Sequence, residues 1–231
     1  TAGVVTASIS GNQSQVNTTN LSNMTSTDVI NLTVSDTYDG TAADDAHLKA
    51  LKALRDSTNG KISATVSATL AKITDTSAYT VNTKATDDID LTITDTKVTS
   101  LTKLKTVAGL TAKPVVASAE FNGANWIAFG KESIFDGNDK IAVTLANNGD
   151  KLTVDDFNSV KNKTKGILTA TVNDDAANLV QGTTLKLDAN DVLTVTVKDD
   201  KVFGDTGNPT VAELKTVLDK GTASKITLTA K

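Results

Sequence analysis

Apolar residues alternate with small or polar residues in nine short segments along the chain. Each segment spans seven residues with a period of two, which is typical of a β-strand with one packed face. The segments follow one another at intervals of 25 to 33 residues, and this regular spacing predicts a structural repeat. The predicted strands are residues 4–10, 29–35, 61–67, 88–94, 113–119, 140–146, 167–173, 192–198 and 225–231.

Every second gap between these strands has the apolar spacing of an amphipathic helix. Two further helix starts are marked by capping residues: one follows Thr153 or Asp155, and one opens at residues 209–210 and is closed by Gly221. The strand-helix-strand order predicts parallel neighbouring strands. The first two helical stripes consist of Leu48, Leu51, Leu54, Leu101, Leu104 and Val107.

Two shorter gaps, residues 68–87 and 174–190, resemble one another. Each contains a small Ala/Leu turn followed by a minor strand, at residues 79–81 and 184–187, so the repeat is best described as a double unit of about 52 residues. We therefore predict a β-rich repeat protein with short helices, a β/α solenoid-like array of about nine parallel strands. The alternative is an antiparallel, immunoglobulin-like β-sandwich, for which the strand spacing is too long unless minor strands fill each gap.

The domain organisation predicted from these patterns has three parts. Residues 1–119 form a first repeat array, residues 120–139 an aromatic-rich irregular insert, and residues 140–231 a second array, or the whole is one continuous domain. Neither end shows a polar capping unit. We expect either that the chain is cut from a longer array or that its terminal strands pair head to tail with other copies.

Composition restricts the chemistry open to this chain. It contains no cysteine and a single histidine, His47, which falls on the exposed side of a predicted helix. Disulfides, thiolate metal sites and thiol nucleophiles are therefore excluded, and little is available for histidine acid-base catalysis. The net charge of -4 comes from interspersed Asp and Lys without a basic stripe, and no apolar run reaches the ~20 residues of a membrane span. We expect a protein that is not an enzyme, binds no nucleic acid and does not span a membrane.

Acidic turns are the best candidates for ligand binding. They place several oxygen donors in short loops, as Ca²⁺ requires, although Asp and Asn beside Gly also form ordinary turns. Calcium is therefore the one cofactor that the sequence suggests. The candidate ligands are Asp36, Asp39, Asp44, Asp136, Asn138, Asp139, Asp199 and Asp205.

Two further features of the sequence are candidate surfaces. Trp126 and Phe129 lie among the clustered rings of residues 120–135, which either present an interface or ligand platform or fill a local core. Asn-x-Ser/Thr sequons are candidates for glycosylation, although several are expected by chance in a chain so rich in Ser and Thr. The sequons begin at Asn12, Asn17, Asn20, Asn23, Asn31 and Asn162.

Units that pair an Ala/Leu helix with a Thr-rich strand, as in residues 47–66 followed by 69–73 and in residues 166–180, resemble repeats of bacterial S-layer proteins and large type I secreted, RTX-associated surface proteins. This resemblance implies export, assembly at the cell surface and calcium dependence. The chain departs from RTX proteins because it lacks the glycine-rich calcium nonapeptide.

From these features we expect an extracellular structural protein that self-assembles into a surface layer or filament through contacts with copies of itself. The alternative is an adhesin segment that binds glycan, such as a cell-surface polysaccharide. The sequence predicts no catalytic residue.

Overall fold

A computed structural model describes residues 4–25, 27–39, 46–75, 86–147, 149–180, 185–197, 210–219 and 225–226. Strands and helices alternate along the part of the chain that it covers. The strands are β1 (Thr6–Gly11), β2 (Val29–Asp39), β3 (Ile62–Ala68), β4 (Asp88–Ile93), β5 (Val116–Phe121), β6 (Lys140–Leu145), β7 (Leu168–Asp174), β8 (Val192–Val197) and β9 (Lys225–Ile226). The helices are α1 (Ala46–Asp56), α2 (Leu70–Ile73), α3 (Leu101–Ala108), α4 (Gly123–Lys131), α5 (Val154–Lys161), α6 (Ala176–Val180) and α7 (Val211–Leu218).

The chain divides into two compact units, Thr1–Ala117 and Ser118–Lys231. In the first unit β1, β2, β3 and β4 lie side by side in chain order, and every pair is parallel. The start of β5 joins this sheet at one register position, Thr92 opposite Val116. The pairing of β2 with β3 shifts register between Thr33 and Thr37, where β2 has an irregularity.

The second unit repeats this arrangement. Strands β6, β7, β8 and β9 pair in chain order and in parallel. Each unit thus has an open sheet of parallel strands joined by short helices. The parallel arrangement predicted from the sequence is confirmed, and the antiparallel sandwich is wrong.

The hydrophobic core lies on one face of these strands. Alternate residues of β3 and β8 are buried while their neighbours are half-exposed, so the period-two pattern separates a packed face from an open one. The packed face contacts helices, as α1 does with β2 and α5 with β7. Leu48, Leu51 and Leu54 of α1 are buried as the predicted stripe requires, and His47 is exposed.

Helix starts follow from capping chemistry. Thr153 caps α5, and a capping box forms because the Thr153 hydroxyl accepts the Asp156 N–H while the Asp156 carboxylate accepts the Thr153 N–H. Of the two sequence candidates for this cap, Thr153 is the right one. Asn122 caps α4 in the same way by accepting the Asn125 N–H.

The structure differs from the predicted elements in three places. β5 begins at Val116, three residues after the predicted start, because Pro114 has no N–H for a ladder bond. Residues 120–139 contain α4, so this stretch is a strand-helix-strand crossover like the others. Residues 185–187 form no strand, and the other predicted minor strand, 79–81, lies outside the described residues.

Candidate functional site

Buried hydroxyl groups join neighbouring strands at their amino ends. The Thr58 hydroxyl, before β3, accepts the Ile30 N–H at 2.9 Å and the Gly60 N–H at 2.9 Å. Its oxygen also lies 3.0 Å from the Asp28 carbonyl oxygen and 2.9 Å from that of Ile30, placing its proton between two acceptors. One threonine therefore satisfies backbone groups on two strands at once.

Two other threonines make the same contacts. Thr111, before β5, bonds to the backbone of Asp87 and Ile89, and Thr164, before β7, bonds to that of Asp139 and Ile141. Thr58, Thr111 and Thr164 follow one another at intervals of 53 residues. Their side chains bind the strand that precedes them in the sheet.

Buried carboxylates also accept backbone N–H groups, in each case from the strand that precedes their own in the sheet. Asp28, directly before β2, accepts the Val5 N–H at 3.0 Å, and Asp87, before β4, accepts the Ile62 N–H at 2.9 Å. Asp191, before β8, accepts the Leu168 N–H at 2.8 Å. The N–H bonds from Val5 and Thr25 hold the pKa of Asp28 below its usual value.

Two of these carboxylates also have a buried cation. Arg55 at the end of α1 lies 3.1 Å from Asp87, and its guanidinium also donates to the carbonyl oxygens of Gly60 and Thr58. Lys161 at the end of α5 lies 2.8 Å from Asp191. The last turn of each helix is thereby tied to the sheet, and each buried charge has a partner.

Carboxylates also act at the other end of the strands. Asp95 after β4 accepts the Leu70 N–H at the start of α2, and Asp150 after β6 accepts the Gly123 N–H at the start of α4. Asp174 at the end of β7 accepts the Val154 N–H at the start of α5. In each case the carboxylate at the end of one strand accepts an N–H from the helix that follows the preceding strand of the sheet. A negative charge is favourable at the amino end of a helix.

Strand β1 receives the Asp28 contact from β2 but has no described strand on its other side. It pairs with β2, and no other strand lies beside it among the described residues. Val5 is 52% exposed, whereas the corresponding side chains before or in the other strands, Ile62, Val115 and Leu168, are at most 1% exposed. Exposed apolar side chains beside an open strand edge are the usual mark of an association surface.

A shallow cavity adjoins this edge. It measures about 210 Å³, and Val5, Leu21, Met24 and Ile30 supply its apolar lining. A volume of this size accommodates one apolar side chain from a partner. We call the outer side of β1, together with Val5 and this cavity, the β1 edge.

The calcium candidates within the described residues lie in turns and in or beside strands. Asp36 accepts the Gln13 N–H, and Asp136 accepts both the backbone and the side-chain N–H of Asn138 in a turn completed by Gly137 at a φ of 81°. Asp139 is buried before β6, where its carbonyl oxygen bonds Thr164. Asp39 is half-buried in β2, and three other candidates, Asp44, Asp199 and Asp205, lie outside the described residues.

No group of three or more His, Asp or Glu side chains in the described ranges is arranged to hold a metal ion. Near Asp36, burial in the core raises the pKa of Tyr38 to about 12, and the charge of Asp36 contributes. Calcium binding by the acidic turns remains a prediction.

Trp126 and Phe129 lie in the core and do not form a surface platform. Both side chains have no exposed area, and Trp126 stacks on Phe157 with ring centroids 6.3 Å apart. Phe129 stacks on Phe135 with centroids 4.4 Å apart. The interface or ligand role of these two rings is therefore corrected, because a ring with no exposed surface cannot meet a partner unless the core opens.

The remaining sequence features lie at the surface. Four sequon asparagines, Asn20, Asn23, Asn31 and Asn162, are exposed, and Asn12 and Asn17 are half-buried. None of the helices that the structure describes has the length and apolarity needed to cross a membrane.

The threonine and aspartate contacts at the strand starts were not predicted from the sequence. The 53-residue spacing of the threonines and the aspartate before every second strand could have indicated them. In comparisons with known proteins, no protein-family model matches the chain, and no characterised protein or solved structure is significantly similar to it.

Proposed function

We propose that this protein is a structural component of an extracellular assembly, a surface layer or filament, and that copies of it associate through the β1 edge. The observation that carries the proposal is the exposure of Val5, at a position that is buried in the equivalent strands β3, β5 and β7. Burying such a side chain contributes about 1.5 to 3 kcal/mol, and a parallel neighbour would also bond the outer backbone groups of β1.

The contacts between strands support an array that extends by repetition. The starts of β2, β3, β4, β6 and β7 are each bonded by a hydroxyl or carboxylate from the next strand, so the same contacts can be made where a further unit is added. We infer that the chain is a solenoid-like array with a double unit of two strands, in which stability is the sum of neighbour-to-neighbour terms. Such arrays suit a mechanical or layer-forming role because they grow along one direction.

The first experiment is size-exclusion chromatography with light scattering, with and without millimolar calcium. We expect oligomers or polymers of the unmodified chain. Val5→Asp places a charge at the β1 edge and is expected to abolish association, because the charge would be desolvated at the contact. Val211→Asp is the matched control, since Val211 on α7 is 55% exposed and belongs to the second unit.

Three outcomes would each decide a different point. A monomer under all conditions would refute self-assembly by this chain. Association that survives Val5→Asp would refute the β1 edge as its surface. Assembly that requires calcium would support the acidic turns as ligands, and an unchanged size and thermal midpoint on adding calcium would count against them.

The extracellular location is part of the proposal and rests on the resemblance to exported surface proteins. Cell fractionation with an antibody against the chain tests it. Recovery in the cell-surface or culture-medium fraction is expected, and recovery with cytoplasmic markers would contradict it.

A second candidate function, glycan binding by an adhesin segment, is favoured by the open face of the sheet. Hydroxyl side chains there fall in register across strands, as with Thr37 opposite Thr65 and Thr171 opposite Thr194. Pull-down with insoluble cell-wall polysaccharide tests this role. Retention that is lost in Thr171→Val/Thr194→Val but kept in Val5→Asp would favour glycan binding over self-assembly.

A further inference from the structure

The strands fall into two alternating classes that differ in the residue preceding them. Strands β2, β4, β6 and β8 directly follow a buried aspartate, and we call them Asp-led. Strands β3, β5 and β7 have a buried threonine four residues before their first core residue, and we call them Thr-led. The leading residues are Asp28, Asp87, Asp139 and Asp191 in the first class and Thr58, Thr111 and Thr164 in the second.

Strand β1 has the sequence of a Thr-led strand. Its core-face residues Val5, Ala7 and Ile9 have the same order as Ile62, Ala64 and Val66 in β3, with an alanine between two larger aliphatic residues. The same order recurs in β7 as Leu168, Ala170 and Val172. Thr1 lies four residues before Val5, and Gly3 falls where Gly60 and Gly166 fall, although residues 1–3 are outside the described part and the match is one of sequence.

The Thr-led strands β3, β5 and β7 have the same two elements on the side of the preceding strand. An Asp-led strand lies beside it, and a helix connects the two: β2 and α1 precede β3, β4 and α3 precede β5, and β6 and α5 precede β7. The leading threonine bonds to the backbone of that Asp-led strand, as Thr58 does with Ile30. On the same side of β1 the described residues supply neither the strand nor the helix.

We propose that the β1 edge binds an Asp-led strand together with the amphipathic helix that follows it. This inference rests on the proposed association role of β1 and names the partner. The partner strand runs parallel to β1 and carries large apolar residues at alternate positions, like Ile89, Leu91 and Ile93 of β4. Its helix covers Val5, Ala7 and Ile9 and places an apolar side chain near the cavity beside Val5.

The class of the partner has a consequence for self-assembly. In a second copy of this chain, β9 is preceded by Thr222 four residues before Ile226, so by its sequence it is Thr-led like β1. A contact between β9 and β1 joins two strands of one class and lacks the Asp-led backbone that the leading threonine binds. We therefore expect a contact between β9 and β1 of two copies to be weaker than association of β1 with an Asp-led unit.

The test adds such a unit to the full chain. Residues 86–110, which contain β4 and α3, are placed before Thr1, so that Leu110 is followed by Thr1 as it is followed by Thr111 in the chain. Hydrogen exchange followed by mass spectrometry then reports on residues 4–11. We expect exchange in β1 to slow by at least about tenfold, because a paired edge opens less often than a free one.

Two matched variants make the test specific. The same addition carrying Leu91→Asp in the added copy places a charge at a position that is 1% exposed in β4, and it is expected to give no protection. Thr1→Val within the extended chain is expected to remove part of the protection, because it deletes the hydroxyl that would bind the added strand. Residues 138–163, which contain β6 and α5, serve as a second donor if the first addition fails to fold.

The outcomes separate this inference from the proposed function. Unchanged exchange of β1 with both donors, or equal protection by the Leu91→Asp donor, would overturn the inference even if the unmodified chain assembles. Protection of β1 in a chain that never self-associates would support the inference and refute self-assembly. Loss of polymers when the donor unit is present would support both.

Discussion

Single buried hydroxyl groups join the strands of this protein at their starts. Thr58 is 3% exposed, and its hydroxyl accepts the N–H groups of Ile30 and Gly60 and lies within 3.0 Å of the carbonyl oxygens of Asp28 and Ile30. An unsatisfied buried polar group costs about 1 to 3 kcal/mol, more than a typical hydrogen bond contributes. The Thr58 hydroxyl therefore stabilises the fold by hydrogen bonding to buried backbone groups.

We therefore predict that Thr58→Val lowers the free energy of unfolding by about 1 to 3 kcal/mol, because valine keeps the shape and deletes the hydroxyl. Urea unfolding measures the change. Thr33→Val, at an exposed position of β2, is the matched control and should stay within about 0.5 kcal/mol of the unmodified chain. Thr58→Ser restores the hydroxyl and should recover part of the loss; equal effects of Thr58→Val and Thr33→Val would contradict this role.

We expect the carboxylate of Asp28 to make the free energy of unfolding depend on pH in the acid range. Its carboxylate accepts N–H bonds from Val5 and Thr25, which lower its pKa in the folded state. A lowered pKa stabilises the fold fully above the usual aspartate pKa of about 3.9, and the stabilisation is lost as the pH falls through the folded-state value. We expect Asp28→Asn to unfold more easily at neutral pH and to lose less stability on acidification, as measured by urea unfolding at several pH values. An unchanged slope between pH 5 and pH 2 would show that Asp28 is not responsible.

At the scale of elements, helix α1 is tied to the sheet by a buried ion pair. Arg55 and Asp87 are 3% and 0% exposed, and Arg55 also donates to two backbone carbonyl groups. Removing one member of a buried pair leaves an uncompensated charge, at a cost of about 3 to 5 kcal/mol. We predict a loss of this size for Arg55→Met in urea unfolding.

The matched variants separate charge from geometry. Arg55→Lys keeps the charge and should cost less than Arg55→Met, since Lys161 holds the corresponding place beside Asp191. It should still destabilise, because lysine lacks the planar fork that reaches several acceptors. The double variant Arg55→Met/Asp87→Asn should lose less than the sum of the single changes. Strict additivity would mean that the two side chains do not interact.

The strands could be predicted from the sequence because each carries its own alternating pattern. Eight of the nine predicted segments overlap their observed strands within one or two residues at the start, and the exception is β5 beside Pro114. Helix α4 was missed because it contains two glycines, which are poor helix formers. Gly130 has a packing reason, since a Cβ there would lie 2.8 Å from the Ser159 Cβ on α5. Close contact between two helices is a tertiary feature that local patterns do not carry.

The candidate site was harder to predict than the fold. A threonine followed by Asn-Gly or Lys-Gly looks like an ordinary surface turn, and the strand that its hydroxyl binds is 23 to 28 residues away in the chain. Trp126 was a candidate for a surface because large rings serve both cores and interfaces, and only packing against Phe157 distinguishes the two roles. The exposure of Val5 likewise depends on which elements surround β1.

At the scale of the whole molecule, we expect a graded stability in a parallel sheet whose strands pack mainly on their neighbours. Strand β3 has a neighbour on both sides and core residues that are at most 6% exposed, whereas β1 has one described neighbour and exposed Val5. Local opening is governed by such packing, so a strand with one described neighbour should open more often than a strand with two.

We therefore predict that amides of β1 exchange faster with deuterium than those of β3 in the first unit, by at least about tenfold at neutral pH. The comparison uses the two strands with the same order of core residues, Val5-Ala7-Ile9 and Ile62-Ala64-Val66, so that sequence effects on intrinsic exchange are small. Val5→Asp should speed exchange in β1 and leave β3 unchanged in a monomer. Equal protection of β1 and β3 in a dilute monomer would show that the unit unfolds as one cooperative body and that β1 does not open first. Faster exchange in β3 than in β1 would contradict the view that the stability of a strand depends on its number of neighbours.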